Sequence, residues 1–335
     1  MQTATAGAPV QTVARKSMQA AVLVEPGAFQ MREIPIPQPS ANQVLVRVQG
    51  CGICASNIAP FEGKPWFHYP MEPGAPGHEG WGIVERVGEN VRGLAPGDRV
   101  GMLSLHAFAE FDVVDASAAV RLPSSMSDEP FPAEPLGCAI NIFKRALIER
   151  GDTVGIIGIG FLGALLVQLA SAAGAHVIAI SRRRFALQLA KQFGAAAVIE
   201  GADEAVENVR QLTAGKFCDV VLECAGKQPA LDLAAELTRE RGRLVIAGYH
   251  QDGLRQVNMQ LWNWRGLDVI NAHERDPHIY RAGMQAAVEA VENGLLDPRL
   301  LYTHQFPLEQ IRVAFHNAVT RPDDFMKALV MMENT

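Results

Sequence analysis

At 335 residues the chain has room for two domains of roughly 100–200 residues each. At 48% hydrophobic and 20% charged it has the balance of a globular protein that buries its core without disulfide support. A net charge of −6 gives no electrostatic footprint for nucleic acid. The cysteines Cys51, Cys54, Cys138, Cys218 and Cys224 are too few, and odd in number, for a disulfide framework, and they fit a reducing, cytoplasmic setting.

Residues 1–16 lack the apolar segment of a secretory signal and read as a mobile tail before a first strand at 18–24. Residues 43–49, QVLVRVQ, alternate apolar and polar as a half-buried strand does, and 82–87 is a second candidate. Pro and Gly crowd residues 60–82, which read as loop, and Pro96-Gly97-Asp98 turns the chain into a strand at Arg99–Leu103.

The rhythm changes near Gly137. Strands at Thr153–Ile157 and 177–180 alternate with helices at 163–173 and 184–193, and short buried strands follow at 198–199, 220–222 and 244–246. Such alternation implies parallel strands with crossover helices, a doubly wound α/β sheet. Residues 153–180 carry no Asp, Glu, Lys or Arg and could span a bilayer by length alone. Glycines at 155, 158, 160 and 163 fall where a strand would turn into a helix, so buried strand, turn and helix is the better reading, with no membrane partner. Beyond residue 275 the pattern gives a helix at 279–293, a strand at 303–306, a helix from Leu308 and a last strand at 327–331. There is no internal repeat.

Gly158-Ile159-Gly160-Phe161-Leu162-Gly163 fits G-x-G-x-x-G between a strand and a helix. In that context the first glycine makes the turn, the second lets backbone approach a pyrophosphate, and the third lets helix and strand pack closely. The next strand ends in Ser181-Arg182-Arg183-Arg184, where NAD sites place an acidic residue. A carboxylate would repel a 2′-phosphate, whereas Ser and Arg bind one, so NADP(H) is favoured over NAD(H). The bland alternative is a solvated helix start.

Cys51 and Cys54 form a CxxC with no second pair at the spacing of a closed structural zinc site. Cys54 with His78-Glu79 and Glu134 offers the thiolate, imidazole and carboxylate of a catalytic zinc: Cys54, His78 and Glu134 as three ligands, Glu79 as a fourth or as their support. Taken singly, Cys54 reads as a buried hydrophobe, His78 as a loop histidine and Glu134 as a helix cap.

Together these segments resemble the zinc-dependent medium-chain dehydrogenase/reductase (alcohol dehydrogenase) family, from about residue 18 to 332. The matching pieces are GCGICASN, PGHEGWGIVERVG, PGDRV, AEPLGCAI, the glycine fingerprint, DVVLECAG, GRLVIAGY and FPLEQIRVAF. Glu134-Pro135-Leu136 resembles the sorbitol dehydrogenase-like branch, where a carboxylate replaces a cysteine ligand; Cys138 is a competing candidate. The resemblance implies a GroES-like β-rich catalytic domain from residues 17–138 and 274–335, holding a Rossmann domain of residues 139–273. It implies hydride transfer between a small alcohol or polyol, or its ketone or aldehyde, and the nicotinamide. Ser56 matches the hydroxyl that takes the substrate proton, Gly248-Tyr249 the backbone beside the nicotinamide, and Lys327 a basic residue near the pyrophosphate. It also implies a homo-oligomer, dimer or tetramer, paired through a sheet edge such as residues 267–271.

Three departures stand out. After Asp98-Arg99-Val100 no cysteines follow, so one catalytic zinc and no structural zinc is expected. Asn57 stands where Asp is common, and Ala59 where a relay histidine is common. Trp66, Phe67 and His68, between two ligand segments, read equally as pocket lining or as loop packing. Two rivals share the fingerprint: a zinc-free quinone or enoyl reductase of the same superfamily, and a non-catalytic NADPH-binding protein.

Overall fold

The computed structural model describes residues 15–126 and 129–332, so most of the expected N-terminal tail lies outside it. The chain opens with a hairpin, β1 (Ser17–Glu25) antiparallel to β2 (Ala28–Pro35). The alternation expected over 43–49 belongs to β3 (Gln43–Gly52), which runs on through Cys51-Gly52. A 3₁₀ turn at Ala55–Asn57 and the single-turn α1 (Ile58–Phe61) follow. Next come β4 (Glu79–Val87), β5 (Arg99–Leu103), β6 (Phe111–Asp115) and β7 (Ala119–Arg121).

Helix α2 (Ala133–Ala146) has no counterpart in the sequence reading. Its Pro135 sits in the first turn, where a missing N–H breaks no intrahelical bond. The alternating region then runs β8 (Thr153–Ile157), α3 (Phe161–Ala172), β9 (His176–Ser181), α4 (Arg184–Gln192) and β10 (Ala197–Glu200). It continues with α5 (Ala205–Leu212), β11 (Cys218–Glu223), α6 (Gln228–Leu237), β12 (Thr238–Ile246), α7 (Met259–Arg265) and β13 (Asp268–Asn271). The chain closes with α8 (Pro277–Glu292), β14 (His304–Pro307), α9 (Ile311–Thr320) and β15 (Ala328–Met331).

The six strands β10-β9-β8-β11-β12-β13 form one parallel sheet. In order of first appearance this is 3-2-1-4-5-6, the doubly wound Rossmann order, and its switch point lies between β8 and β11. A second, mixed sheet runs β14-β15-β3-β4-β5-β7, with β6 also on β3. The last strand therefore returns to the first third of the chain: β15 pairs antiparallel with β3, Leu329 opposite Gly52 and Val330 opposite Cys51. Among the described residues no helix is long and apolar enough to cross a membrane.

Four phenylalanines anchor the loop that follows β3. Phe315 of α9 is fully buried and meets Phe29 of β2, Phe61 of α1 and Phe108 at centroid separations of 5.0, 5.1 and 5.6 Å. Edge and tilted contacts at such separations add to the area buried. Phe315→Ala should cost about 3–5 kcal/mol, as large aromatic-to-alanine cavities do. Chemical denaturation reads this, and a loss under about 1 kcal/mol would mean that the cluster collapses freely around the gap.

Candidate active site and metal centre

The 3₁₀ turn after β3 carries Cys54 at its head and Ser56 within it. Its fold is set by Asn57, which is buried. The Cys54 backbone N–H donates to Asn57 Oδ1 at 2.9 Å, and Asn57 Nδ2 donates to the Pro76 carbonyl at 2.9 Å. His78 Nδ1 lies 3.1 Å from the same carbonyl. With Nδ1–H donating there, Nε2 is the nitrogen left to bind a metal once its own proton has gone. Asn57 Nδ2 also approaches His78 Nδ1 at 3.2 Å, a contact in which the amide nitrogen, a donor only, cannot accept the ring proton as a carboxylate oxygen would.

Cys54, His78 and Glu79 each offer a ligand atom, all within 4.8 Å of one another. Burial alone would lower the His78 pKa. The Cys54 sulfur, hydrogen-bonded to the ring, and the carboxylates of Glu134 and Glu79 outweigh it and hold the imidazole up to about 10. A pocket that stabilises a positive charge this strongly has the donor chemistry of a cation site. Glu134, in the first turn of α2, is not part of the 4.8 Å trio. It accepts a hydrogen bond from Cys138 Sγ at 3.2 Å, and burial raises its carboxyl above the ordinary range while His78 pulls the other way. Burial and Glu134 together raise Cys138, which keeps it a thiol donor.

Glu79 has a second partner. It opens β4 opposite Gly52 of β3, and Lys327 enters β15 on the far side of the same strand. Lys327 Nζ lies 2.7 Å from Glu79 Oε1 and 2.5 Å from Oε2, with both side chains almost wholly buried. Burial alone would strip the ammonium of its charge; Glu79 overrides this and holds Lys327 above its ordinary value. The approach needs Gly52, since a Cβ there would stand 2.0 Å from Glu79 Oε2. The same ammonium lies 4.8 Å from the centroid of the Phe161 ring. Phe161 is the first residue of α3, so Lys327 links the candidate metal centre to the glycine fingerprint.

In that fingerprint Gly158 has φ +92°, closed to most side chains, and a Cβ on Gly163 would meet the Gly158 carbonyl at 2.3 Å. A Cβ on Gly160 would meet nothing within 4 Å, so the N-terminus of α3 is open there to an incoming anion. Gly248, after β12, donates to the Glu223 carbonyl at 2.7 Å, and Tyr249 beside it is half exposed. Ser181 ends β9, and Arg182 and Arg183 follow it, as the sequence implied.

Residues 162–289 match the zinc-binding dehydrogenase family and residues 40–124 the GroES-like domain of alcohol dehydrogenases. An alcohol dehydrogenase of Rhizobium meliloti is 32% identical over 267 residues, covering 69% of this chain and 77% of that protein. The chain belongs to the zinc-dependent medium-chain dehydrogenase/reductase family. It is an oxidoreductase of the sorbitol dehydrogenase-like branch. A sorbitol dehydrogenase of Halalkalibacterium halodurans is 27% identical over 324 residues, 87% of this chain and 92% of that one. The structure of a zinc-binding dehydrogenase homologue from Sinorhizobium meliloti 1021, solved bound to NADP, superposes with a TM-score of 0.83 at 27% identity, over 95% of this chain and all of that one.

Sequence reasoning missed one network in this dehydrogenase. Glu223, fully buried at the end of β11, accepts from the Ala225 and Gly226 N–H groups at 2.8 and 2.7 Å and lies 2.9 Å from His250 Nε2. Arg255 Nε donates to His250 Nδ1 at 2.7 Å, and because arginine only donates, His250 must carry its proton on Nε2, toward Glu223. The chain fixes the backbone around Gly248. Only the motif ECAG hinted at it; His250 and Arg255 stand in an irregular loop with no periodicity to mark them.

Removing one partner of the buried pair leaves the other charge uncompensated. Lys327→Met should destabilise the fold by about 3–5 kcal/mol, and Glu79→Gln/Lys327→Met should recover most of that loss. A double-mutant cycle by chemical denaturation checks this; additive losses would show that the pair contributes nothing jointly.

Proposed function

We propose that this dehydrogenase is zinc-dependent and transfers a hydride between a small alcohol or polyol, or the corresponding ketone or aldehyde, and NADP(H). The observation that carries the reading is the trio Cys54, His78 and Glu79, whose ligand atoms all lie within 4.8 Å of one another beside a nucleotide-binding turn. Cys54, His78 and Glu134 would hold the metal. Glu79 is already engaged by Lys327, which favours Glu134 as the third ligand, and the raised thiol of Cys138 argues against a sulfur in its place. With no cysteine between Asp98 and Asp115, one zinc per chain follows from the reading. Zinc supplies Lewis-acid polarisation of the substrate oxygen when bound.

The chain's own residues do the remaining work. Gly158, Gly160, Phe161, Leu162 and Gly163 present the helix N-terminus to the pyrophosphate, and Lys327 adds a buried positive charge behind them. Gly248 and Tyr249 offer backbone beside the nicotinamide. Ser56, half-buried on the turn that carries Cys54, takes or returns the substrate hydroxyl proton. Ala59 is buried and has no titratable group, so the proton goes from Ser56 to water or cofactor hydroxyls. Lack of a carboxylate at the end of β9 supports NADP(H) over NAD(H), and the NADP-bound relative is in keeping with it. The domain division at residues 138–139 and 273–274, a cytoplasmic setting for five free cysteines, and a homo-oligomer paired through the β13 edge complete the proposal.

Purified enzyme should turn over secondary alcohols or polyols with NADP+, lose activity to a chelator and regain it with zinc. Cys54→Ala should lose at least about a hundredfold in kcat/KM, roughly 2.7 kcal/mol. Because His78 is held protonated at pH 7, loading zinc must eject that proton. The apparent zinc affinity should rise by about tenfold per pH unit for each proton released below pH 10, read by calorimetry in buffers of different ionisation enthalpy. Full NADPH turnover of quinones or enones by metal-free enzyme, with Cys54→Ala unimpaired, would move the chain to the zinc-free reductases.

A further inference from the structure

We infer that Arg321, at the end of α9 and outside the Rossmann fold, completes the 2′-phosphate subsite of NADP(H) together with Arg182 and Ser181. The inference rests on the NADP(H) reading above and names the residues that enforce it.

The three arginines after β9 are not equivalent. Glu200 lies in register with Ser181 on the neighbouring strand and would repel a phosphate there, but Arg184 Nε lies 3.0 Å from each of its oxygens. Arg183, expected from sequence to face the cofactor, is engaged elsewhere. Its guanidinium donates to the Phe325 carbonyl and lies 3.3 Å from the Ile159 carbonyl within the fingerprint, while its backbone N–H donates to Ser181 Oγ at 3.2 Å. Arg183 is thus a strap between the cofactor loops and the segment that leads into β15. Arg182 is exposed and has no ion pair among the described residues.

The strap determines where Arg321 stands. Phe325 closes a turn, its N–H donating to the Pro322 carbonyl at 2.9 Å, and Arg321 immediately precedes that turn as the C-cap of α9. The Arg321 side chain makes one long contact, Nε to the Ala318 carbonyl at 3.4 Å. Its terminal nitrogens have no hydrogen-bond or ion-pair partner among the described residues. Arg183 is lowered from the ordinary arginine value by desolvation and then by the charge of Arg321, and Arg321, itself exposed, is lowered by desolvation and then by the charge of Arg182. The acids that follow Arg321 in sequence pair with neither arginine: Asp324 turns to His304 at 3.8 Å, and Asp323 is exposed with no ion pair among the described residues. Arg182 and Arg321, two like charges that oppose each other beside a neutralised carboxylate, are matched by a dianion with several acceptor oxygens, and a ribose 2′-phosphate at the end of β9 has that chemistry. Because Arg321 belongs to the segment that also delivers Lys327, recognition of the 2′-phosphate is tied to the same strand that buries the ion pair beside Cys54.

Isothermal titration of the full chain with 2′,5′-ADP, which carries the 2′-phosphate, and 5′-ADP, which lacks it, tests this. Wild-type protein should prefer 2′,5′-ADP. Arg321→Gln should lose about tenfold or more of that preference, as removal of a charge-assisted contact to phosphate does, with 5′-ADP held within about twofold. Arg321→Lys should fall between the two, and unchanged thermal unfolding of both variants shows that the fold is intact. If wild type prefers 2′,5′-ADP and Arg321→Gln keeps the full preference, the role of Arg321 is overturned while the NADP(H) reading stands. Equal weakening toward both probes also overturns it, because the effect is then structural. If wild type binds both probes alike, the NADP(H) reading falls and this inference with it.

Discussion

The buried ion pair between Glu79 and Lys327 is the interaction on which the rest of the site depends. Two charges taken out of water cost more than they return unless each is fully matched. Here the match requires three strands in register. Glu79 opens β4, Lys327 enters β15, and Gly52 of β3 lies between them without a side chain. Whatever holds that register also fixes Cys54, two residues beyond Gly52, and His78, one residue before Glu79. The pair thereby turns sheet geometry into ligand geometry. It also balances the carboxylate of the trio itself, so that the remaining negative charge around His78 is available to a cation.

The same lysine couples the two halves of the molecule. Its ammonium faces the Phe161 ring at the start of α3, and a cation over an aromatic face in a desolvated setting is favourable by about 2 kcal/mol. A few residues earlier in the chain, Arg183 of the Rossmann sheet grips the Phe325 carbonyl. Two contacts, one on each side of Met326, thus anchor the final strand to the nucleotide-binding turn. The family chemistry needs a reacting carbon held against a nicotinamide, and a connection of this kind sets that distance with rigid elements rather than loops.

Much of this was legible in the sequence, for reasons that differ by residue. The glycine fingerprint could be read because each glycine answers a local steric demand, visible at Gly158 in its backbone angle and at Gly163 in the carbonyl a side chain would strike. The β8, β9 and β11 strands could be read because a buried parallel strand is a short apolar run. Helix α2 was missed because Pro135 and Gly137 interrupt its sequence, although Pro135 is harmless in a first turn and Gly137 lets α8 approach, with Met284 backbone 2.6 Å from where a Cβ would be. Hairpin strand β2 was missed because little of it is buried. Long-range partnerships were beyond reach altogether. Nothing local to Lys327 names Glu79, 248 positions away, and nothing local to Arg183 names Phe325. Arg182 and Arg183 look alike in sequence, and only the fold separates one that is exposed from one that is tied to carbonyls.

The measurement that tests the central claim most directly is anomalous diffraction at the zinc edge from crystals of the enzyme purified without added metal. The account predicts one peak per chain, in contact with Cys54 Sγ and His78 Nε2 and with the Glu134 carboxylate as third protein ligand, while Glu79 remains paired with Lys327. A crystal with zinc supplied and no peak at Cys54 and His78, or with its zinc bound elsewhere on the chain, would contradict it.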